Sequence, residues 1–189
     1  MRVAVVLAAG RSRRFGRQNK LLARIGALSL IERTLAIARA APVARVIVVT
    51  GHGRAAVTRA ARGPRTTIVR ARDHAEGMGA SLRAALRALR PCERQMLLFL
   101  GDMPAVPPGM AGRLARALRA GDAGVRPAYR GRPGHPVLLR LPPPMVPKGD
   151  AGPGRGLAMR TVAGPRGCVQ DIDTRQMLIR LAPKQSIVR

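Results

Sequence analysis

Asp102 stands directly after the apolar run MLLFL (96 to 100) and one glycine, and Asp171 and Asp173 stand in DIDT (171 to 174) after the short segment GCVQ. The 189 residues contain only nine carboxylates, so their placement at the ends of apolar runs carries information. If both runs end at one edge of a parallel sheet, the carboxylates can converge on a hard cation such as Mg²⁺, which takes one or two protein carboxylates together with phosphate oxygens. That arrangement suits phosphoryl or nucleotidyl transfer. Asp173 has a second reading as a helix N-cap, because Thr174 also favours a helix start.

A cationic segment faces these acids from the other end of the chain. LAAGRSRRFGRQNK (7 to 20) follows the first apolar run and packs Arg11, Arg13, Arg14, Arg17 and Lys20 behind three small residues. In an open α/β sheet this is a loop at the carboxyl end of a strand, where ligands bind. Ala8, Ala9 and Gly10 let a ligand lie against the backbone, whose N–H groups can meet a base or a phosphate. The guanidinium and ammonium groups then supply charge for a polyphosphate. It is not a Walker A loop, since Gly10 and Gly16 are one residue too far apart and Arg17 follows.

The charge of the whole chain agrees with an anionic ligand. Lys and Arg number 35 against 9 acids, for a formal charge of +26, and Lys occurs only at positions 20, 148 and 184. An Arg- and Ala-rich composition can also come from a GC-biased coding sequence, so charge alone does not identify the anion. Two Phe, one Tyr and no Trp leave few platforms on which exposed bases could stack, so nucleic acid is not the expected partner. Three scattered histidines argue against zinc. Cys92 and Cys168 lack Cys-x-x-Cys spacing and read as two small buried thiols in a reducing compartment. No apolar run approaches the roughly 18 residues of a membrane span. VAVVLAA (3 to 9) is followed by arginines rather than a cleavage region, so the cytoplasm is the expected location.

Positioning these groups requires alternating strands and helices. The apolar runs 2 to 8, 45 to 50, 66 to 70 and 95 to 100 read as strands covered on both faces. Residues 28 to 40, 54 to 61 and 79 to 90 read as helices, and a further helix starts near Pro108, carries Leu114 and Leu118 and stops at Gly121. The pattern predicts a three-layer α/β/α, Rossmann-like fold with a mostly parallel central sheet. No linker divides residues 1 to 189, so a single domain is expected. VIVVTGHGRAA (46 to 56), with Asp73 further on, competes as a dinucleotide fingerprint, but it would leave the Arg-rich first loop without a role. His52 and His74 are expected as exposed loop residues.

The blocks LAAGRSRRFGRQNKLL, EGMGASL, LGDMP, GRPGHPVL, GD-x-G and DIDT, in that order, resemble the molybdenum cofactor cytidylyltransferase group among nucleoside-triphosphate transferases that act on molybdopterin. The resemblance covers residues 1 to about 174. It implies a nucleotide-binding half to about residue 105 and an acceptor-binding portion from about 106 to 189. By similarity, Leu7, Ala8, Ala9 and Gly10 would lie along base and ribose, and Arg14 and Lys20 would hold the triphosphate. Asp102 and Asp173 would coordinate Mg²⁺. Gly77, Met78 and Ser81 are nucleobase contacts by the same resemblance, although these residues also fit a plain helix start. His135, Pro136 and Arg155 would border the acceptor.

The implied reaction moves CMP from CTP to the terminal phosphate of molybdopterin and releases pyrophosphate, with Lys20, Arg14 and Asp102 as the catalytic groups. A recipient molybdoenzyme or its chaperone would be a further partner. Guanylyl transfer from GTP to the same cofactor, nucleotidyl transfer to a phosphosugar, and a basic nucleic-acid-binding module are the competing readings. The LAAG form leans toward CTP. Two departures stand out: Arg175, Gln176 and Met177 follow DIDT where the family has Pro-Glu-Asp, and GDAGPGR carries one extra residue before Arg155.

Overall fold

Arg2–Ala8 (β1) is apolar at every position after the first, a composition that suits a strand covered on both faces. In the computed structural model, which describes residues 1–16, 18–143 and 157–181, β1 occupies the middle of the main sheet. Val3, Val5 and Leu7 pack into one buried cluster and Ala4, Val6 and Ala8 into another, as the two-residue period of a pleated strand requires.

After β1 come the two-residue strands β2 (Arg24–Ile25) and β3 (Leu28–Ser29), then α1 (Leu30–Ala40), β4 (Val46–Thr50), α2 (Arg54–Ala61), β5 (Thr66–Arg70) and α3 (Met78–Arg87). The remainder is β6 (Gln95–Leu100), α4 (Met110–Ala117), β7 (Gly124–Tyr129), β8 (Arg132–Pro133), β9 (Val137–Arg140), β10 (Met159–Ala163) and α5 (Arg175–Leu181). The main sheet runs β10-β7-β9-β6-β1-β4-β5, with β8 paired to β7. Strands β6, β1, β4 and β5 are mutually parallel, while β9 runs antiparallel to β6 and β7. Helices α1, α2 and α4 bury Leu35, Val57 and Leu114 on one face, and α3 buries Leu82 and Ala85 on the other. This is the expected mostly parallel sheet between helical layers. Among the described residues no helix is long and apolar enough to cross a membrane.

Several boundaries differ from the sequence pattern for local reasons. The helix expected from residue 28 begins at Leu30, because Leu28–Ser29 pairs with Arg24–Ile25 and Ser29 then forms a capping box with Glu32. The helix expected near Pro108 begins at Met110, whose N–H donates to the Pro107 carbonyl in a preceding turn. α3 ends at Arg87 rather than 90, and Glu93 accepts from the Arg90 N–H just beyond it. Cys92 is exposed, contrary to expectation, because it lies in the turn before β6; Cys168 is buried. At the amino edge of the parallel strands, Arg45 and Glu93 form a buried bidentate pair at 2.7 and 2.9 Å. The carboxyl edge carries the loops.

Candidate active site

Gly101 turns the chain out of β6 against β1. Its N–H donates to the Leu7 carbonyl at 2.9 Å, and a Cβ at this position would stand 3.0 Å from that same oxygen. The next residue, Asp102, is thereby fixed beside the end of β1. Its own carbonyl accepts the Ile172 N–H at 3.0 Å, which brings Asp173 alongside. The segment before Asp173 is held in turn by the His135 N–H, which donates to the Cys168 carbonyl at 2.7 Å. From the first loop, Lys20 is fixed through its main chain: its N–H donates to Ser12 Oγ at 3.1 Å, and Asn19 Oδ1 accepts the Leu21 N–H at 3.0 Å.

These three segments meet at one point. Lys20 Nζ lies 2.6 Å from Asp102 Oδ2 and 2.7 Å from Asp173 Oδ1, and Arg14 Nη1 lies 3.0 Å from Asp173 Oδ2. The Lys20 side chain is 12% exposed and both Asp side chains 19%, whereas Arg14 is 78% exposed and can leave its partner at little cost. Burial pulls the Lys20 ammonium toward neutrality, but the charges and hydrogen bonds of Asp102 and Asp173 outweigh it and hold its pKa above the ordinary value. Burial likewise pushes the Asp173 carboxyl up, and its hydrogen bond and charge contact with Lys20, aided by Arg14, bring it below the ordinary value. Asp173 is not the helix cap; Thr174 Oγ1 takes that role for α5 by accepting the Met177 N–H at 3.3 Å.

The cluster forms part of the wall of a cavity of about 580 Å³. Leu7, Ala9, Gly10, Arg14, Lys20 and Asp102 line it together with Asp173 and with Gly77, Met78 and Ser81 at the start of α3. Ala8 differs from its neighbours: its side chain is packed in the cluster under α1 and α2, one pleat away from the cavity. His74, expected as an exposed loop residue, is half-buried and lines the cavity, with Nδ1 3.2 Å from the Ala71 carbonyl oxygen. Arg11, read from the sequence as a source of charge for a polyphosphate, also lines it, as do Ser12 and Leu100, which the sequence motifs do not single out as contacts.

His135 and Pro136 do not line this cavity. Pro136 is buried, and the His135 ring is half-buried with Nδ1 3.4 Å from the Leu98 carbonyl oxygen. Burial lowers the His135 pKa below its ordinary value, against the opposing pull of the Leu98 carbonyl and of Asp102. Arg17 and Arg155 lie outside the described residues. The turn after β4, carrying the competing fingerprint, abuts the first loop: the His52 N–H donates to the Ala9 carbonyl and Asn19 Nδ2 to the His52 carbonyl, each at 3.3 Å.

The fold recurs in a nucleotidyl transferase from Methanothermobacter thermautotrophicus, which superposes with a TM-score of 0.83 at 27% identity over 96% of both chains. Rv0371c from Mycobacterium tuberculosis H37Rv matches with a TM-score of 0.80 and 30% identity, over 96% of this chain and 97% of that one. A structure of the same mycobacterial protein in complex with manganese matches at 0.75 and 25%, over 96% and 97%. The bifunctional protein GlmU of Burkholderia ambifaria is 31% identical over 122 residues, 64% of this chain; the chain spans 26% of that relative's length. Residues 4–162 match the MobA-like NTP transferase domain, and the chain belongs to that family of nucleotidyltransferases.

Proposed function

We propose that the chain transfers CMP from CTP to the terminal phosphate of molybdopterin and releases pyrophosphate. The observation that supports this reading most is the Lys20 ammonium held between Asp102 and Asp173 at the wall of a nucleotide-sized cavity. Its family membership supports nucleotidyl transfer, and the ordered sequence blocks support CTP and molybdopterin as donor and acceptor.

In this reading residues 1 to about 105 hold the nucleotide. The backbone from Leu7 to Gly10 lies along base and ribose, with Gly77, Met78 and Ser81 across from it. Arg14 and Lys20 take the charge of the β- and γ-phosphates. An oxygen of the acceptor phosphate forms a bond to the α-phosphorus, and the bond from that phosphorus to the bridging oxygen breaks, leaving its electron pair on pyrophosphate. The nucleophile arrives ionised, so the protein needs positioning and charge stabilisation rather than a general base. Residues from about 106 onward shape the acceptor side, and the His135 N–H on the Cys168 carbonyl steadies the segment that carries Asp173.

The donor set fits a divalent cation. Two hard carboxylate oxygens reach one cationic atom, which in this structure is Lys20 Nζ, and Asp102 and Asp173 would hold Mg²⁺ there. Such an ion supplies Lewis-acid polarisation of the α-phosphate. With those carboxylates so engaged, Lys20 is free to donate to the departing pyrophosphate.

Pyrophosphate release measured with each of the four nucleoside triphosphates, molybdopterin and Mg²⁺ tests the proposal. Turnover with CTP alone is expected. Turnover with GTP alone, or only when a phosphosugar replaces the pterin, transfers the assignment to those substrates. Absence of all turnover together with tight RNA binding overturns the enzymatic reading.

A further inference from the structure

A second concave surface lies on the same carboxyl edge of the sheet, beside α2. Its volume is about 650 Å³, and Arg54, Arg59, Arg62 and Arg70 line it with Thr58 and Gly51. Arg54 and Thr58 lie one turn apart on one face of α2, Arg62 caps the end of that helix, and Arg70 ends the neighbouring strand β5. No carboxylate and no aromatic ring is among the described residues lining it. We infer that this groove is a second anion site, separate from the nucleotide cavity, and that it takes an oligophosphate.

An exposed arginine face is ordinarily a solvated one, and three features favour a ligand here. Four guanidinium groups converge without a compensating acid, which raises the local potential and favours an anion. Their fork geometry suits phosphate oxygens, which accept two N–H bonds from one guanidinium. The Thr58 Oγ1 is closed off from solvent and has no hydrogen-bond partner among the described residues, so a ligand that turned it into the groove would satisfy it. The missing aromatic lining removes any platform for a base, which limits recognition to the phosphate chain.

The groove adjoins the nucleotide cavity. Gly51 lines the groove, whereas Ala9 and His74 line the cavity, and a Cβ at Gly51 would stand 2.6 Å from His74 Cγ and 2.8 Å from Ala9 Cβ. One glycine thus separates the two. The oligophosphate has two sources, free inorganic pyrophosphate or triphosphate and the tail of a second nucleotide.

Calorimetric titration with tripolyphosphate at about 0.15 M salt, where long-range attraction is screened, tests the site without reading turnover. The wild-type chain is compared with Arg59→Gln/Arg62→Gln and with a charge-matched control, Arg87→Gln/Arg116→Gln, on two other helices; all four arginines are exposed. The α2 double variant should bind at least about tenfold more weakly or lose one equivalent, and the control should match wild type. Lys20→Met should retain the equivalent that the α2 variant loses, which separates this site from the catalytic proposal. Equal weakening in both double variants, or none in the α2 variant, overturns the site. Repetition with CTP identifies the source: equal affinity points to a nucleotide tail, and weaker binding than tripolyphosphate to the free anion. A short RNA duplex that needs the same arginines while tripolyphosphate does not bind would overturn the assignment to a small anion.

Discussion

The Ile172 N–H donates to the Asp102 carbonyl at 3.0 Å, so the main chains that carry Asp102 and Asp173 are joined directly. Asp102 owes its place to β6 and the Gly101 turn. Asp173 follows a segment of 3₁₀ helix (Arg166–Val169) and extended chain, held by this bond and by the His135 N–H on the Cys168 carbonyl. The acid arriving from the less regular segment is also the one that both Lys20 and Arg14 reach.

Removing the shared cation should separate stability from catalysis. Lys20→Met leaves two neighbouring carboxylates without their counter-charge, and a loss of about 1–3 kcal/mol in urea denaturation is expected, below the full cost of breaking a wholly buried pair because these groups keep some solvent contact. Nucleotidyl transfer should fall at least about a hundredfold. Adding Asp102→Asn to Lys20→Met should restore part of the stability and none of the turnover. Recovery of turnover in the double variant would contradict the role given to both residues.

The same pair sets a pH window. The Asp173 carboxyl is held below its ordinary 3.8, so its contribution to stability is present above that value and is lost as pH falls through the lowered folded value. The Lys20 ammonium is raised above 10.5, so its contribution is present below that value and is lost as pH rises through the raised one. The Tm difference between wild type and Lys20→Met should therefore be flat across the neutral range and shrink at both extremes. A difference that instead changes steeply between pH 6 and 8 would assign the linkage to another group.

Apolar runs made β1, β4 and β6 legible, because a strand buried on both faces needs such a run; β5 (TTIVR) was expected to be covered in the same way, but it is the edge strand and only partly buried. Lys20, Arg14 and Asp102 were accessible to reasoning from residue type and from the strand ends of β1 and β6, and the structure brings their side chains together with Asp173; the apolar segment before Asp173 was expected as a second strand but is a 3₁₀ helix, Arg166–Val169. Ala8 shows where that reasoning stops: it shares a motif with Ala9, but pleat parity turns its side chain into the core. His74 carries no motif, and its place at the cavity follows from a 3₁₀ turn, His74–Glu76, that packs beside Gly51. The antiparallel β9 was equally hidden, since VLLR gives no direction without its partners.

Gly134 is a sensitive position away from the cavity. A Cβ there would run into the Cys168 carbonyl carbon and oxygen and stand 3.0 Å from Val169 Cγ1, so Gly134→Ala must push the 168–173 segment outward. Destabilisation of about 2–4 kcal/mol is expected, within the range of backbone-clash and overpacking effects. Activity should decline further than stability explains, because Asp173 moves with the segment. Gly109→Ala, where an added Cβ meets nothing within 4 Å, should be near neutral in both assays.

The two thiols offer a direct readout of that displacement. Cys168 is fully buried, and burial pushes its pKa up to about 11 against the opposing charge of Arg113, so little thiolate forms near pH 8 and reagent cannot reach it. Cys92 is exposed in its turn. A disulfide reagent at pH 8 should therefore titrate one thiol quickly in the native wild-type chain and two in denaturant. In Gly134→Ala the second thiol should become reactive under native conditions, at a rate that tracks the loss of nucleotidyl transfer. Rapid labelling of both thiols in folded wild type would show that the segment delivering Asp173 opens freely, and would remove the packing argument for its position.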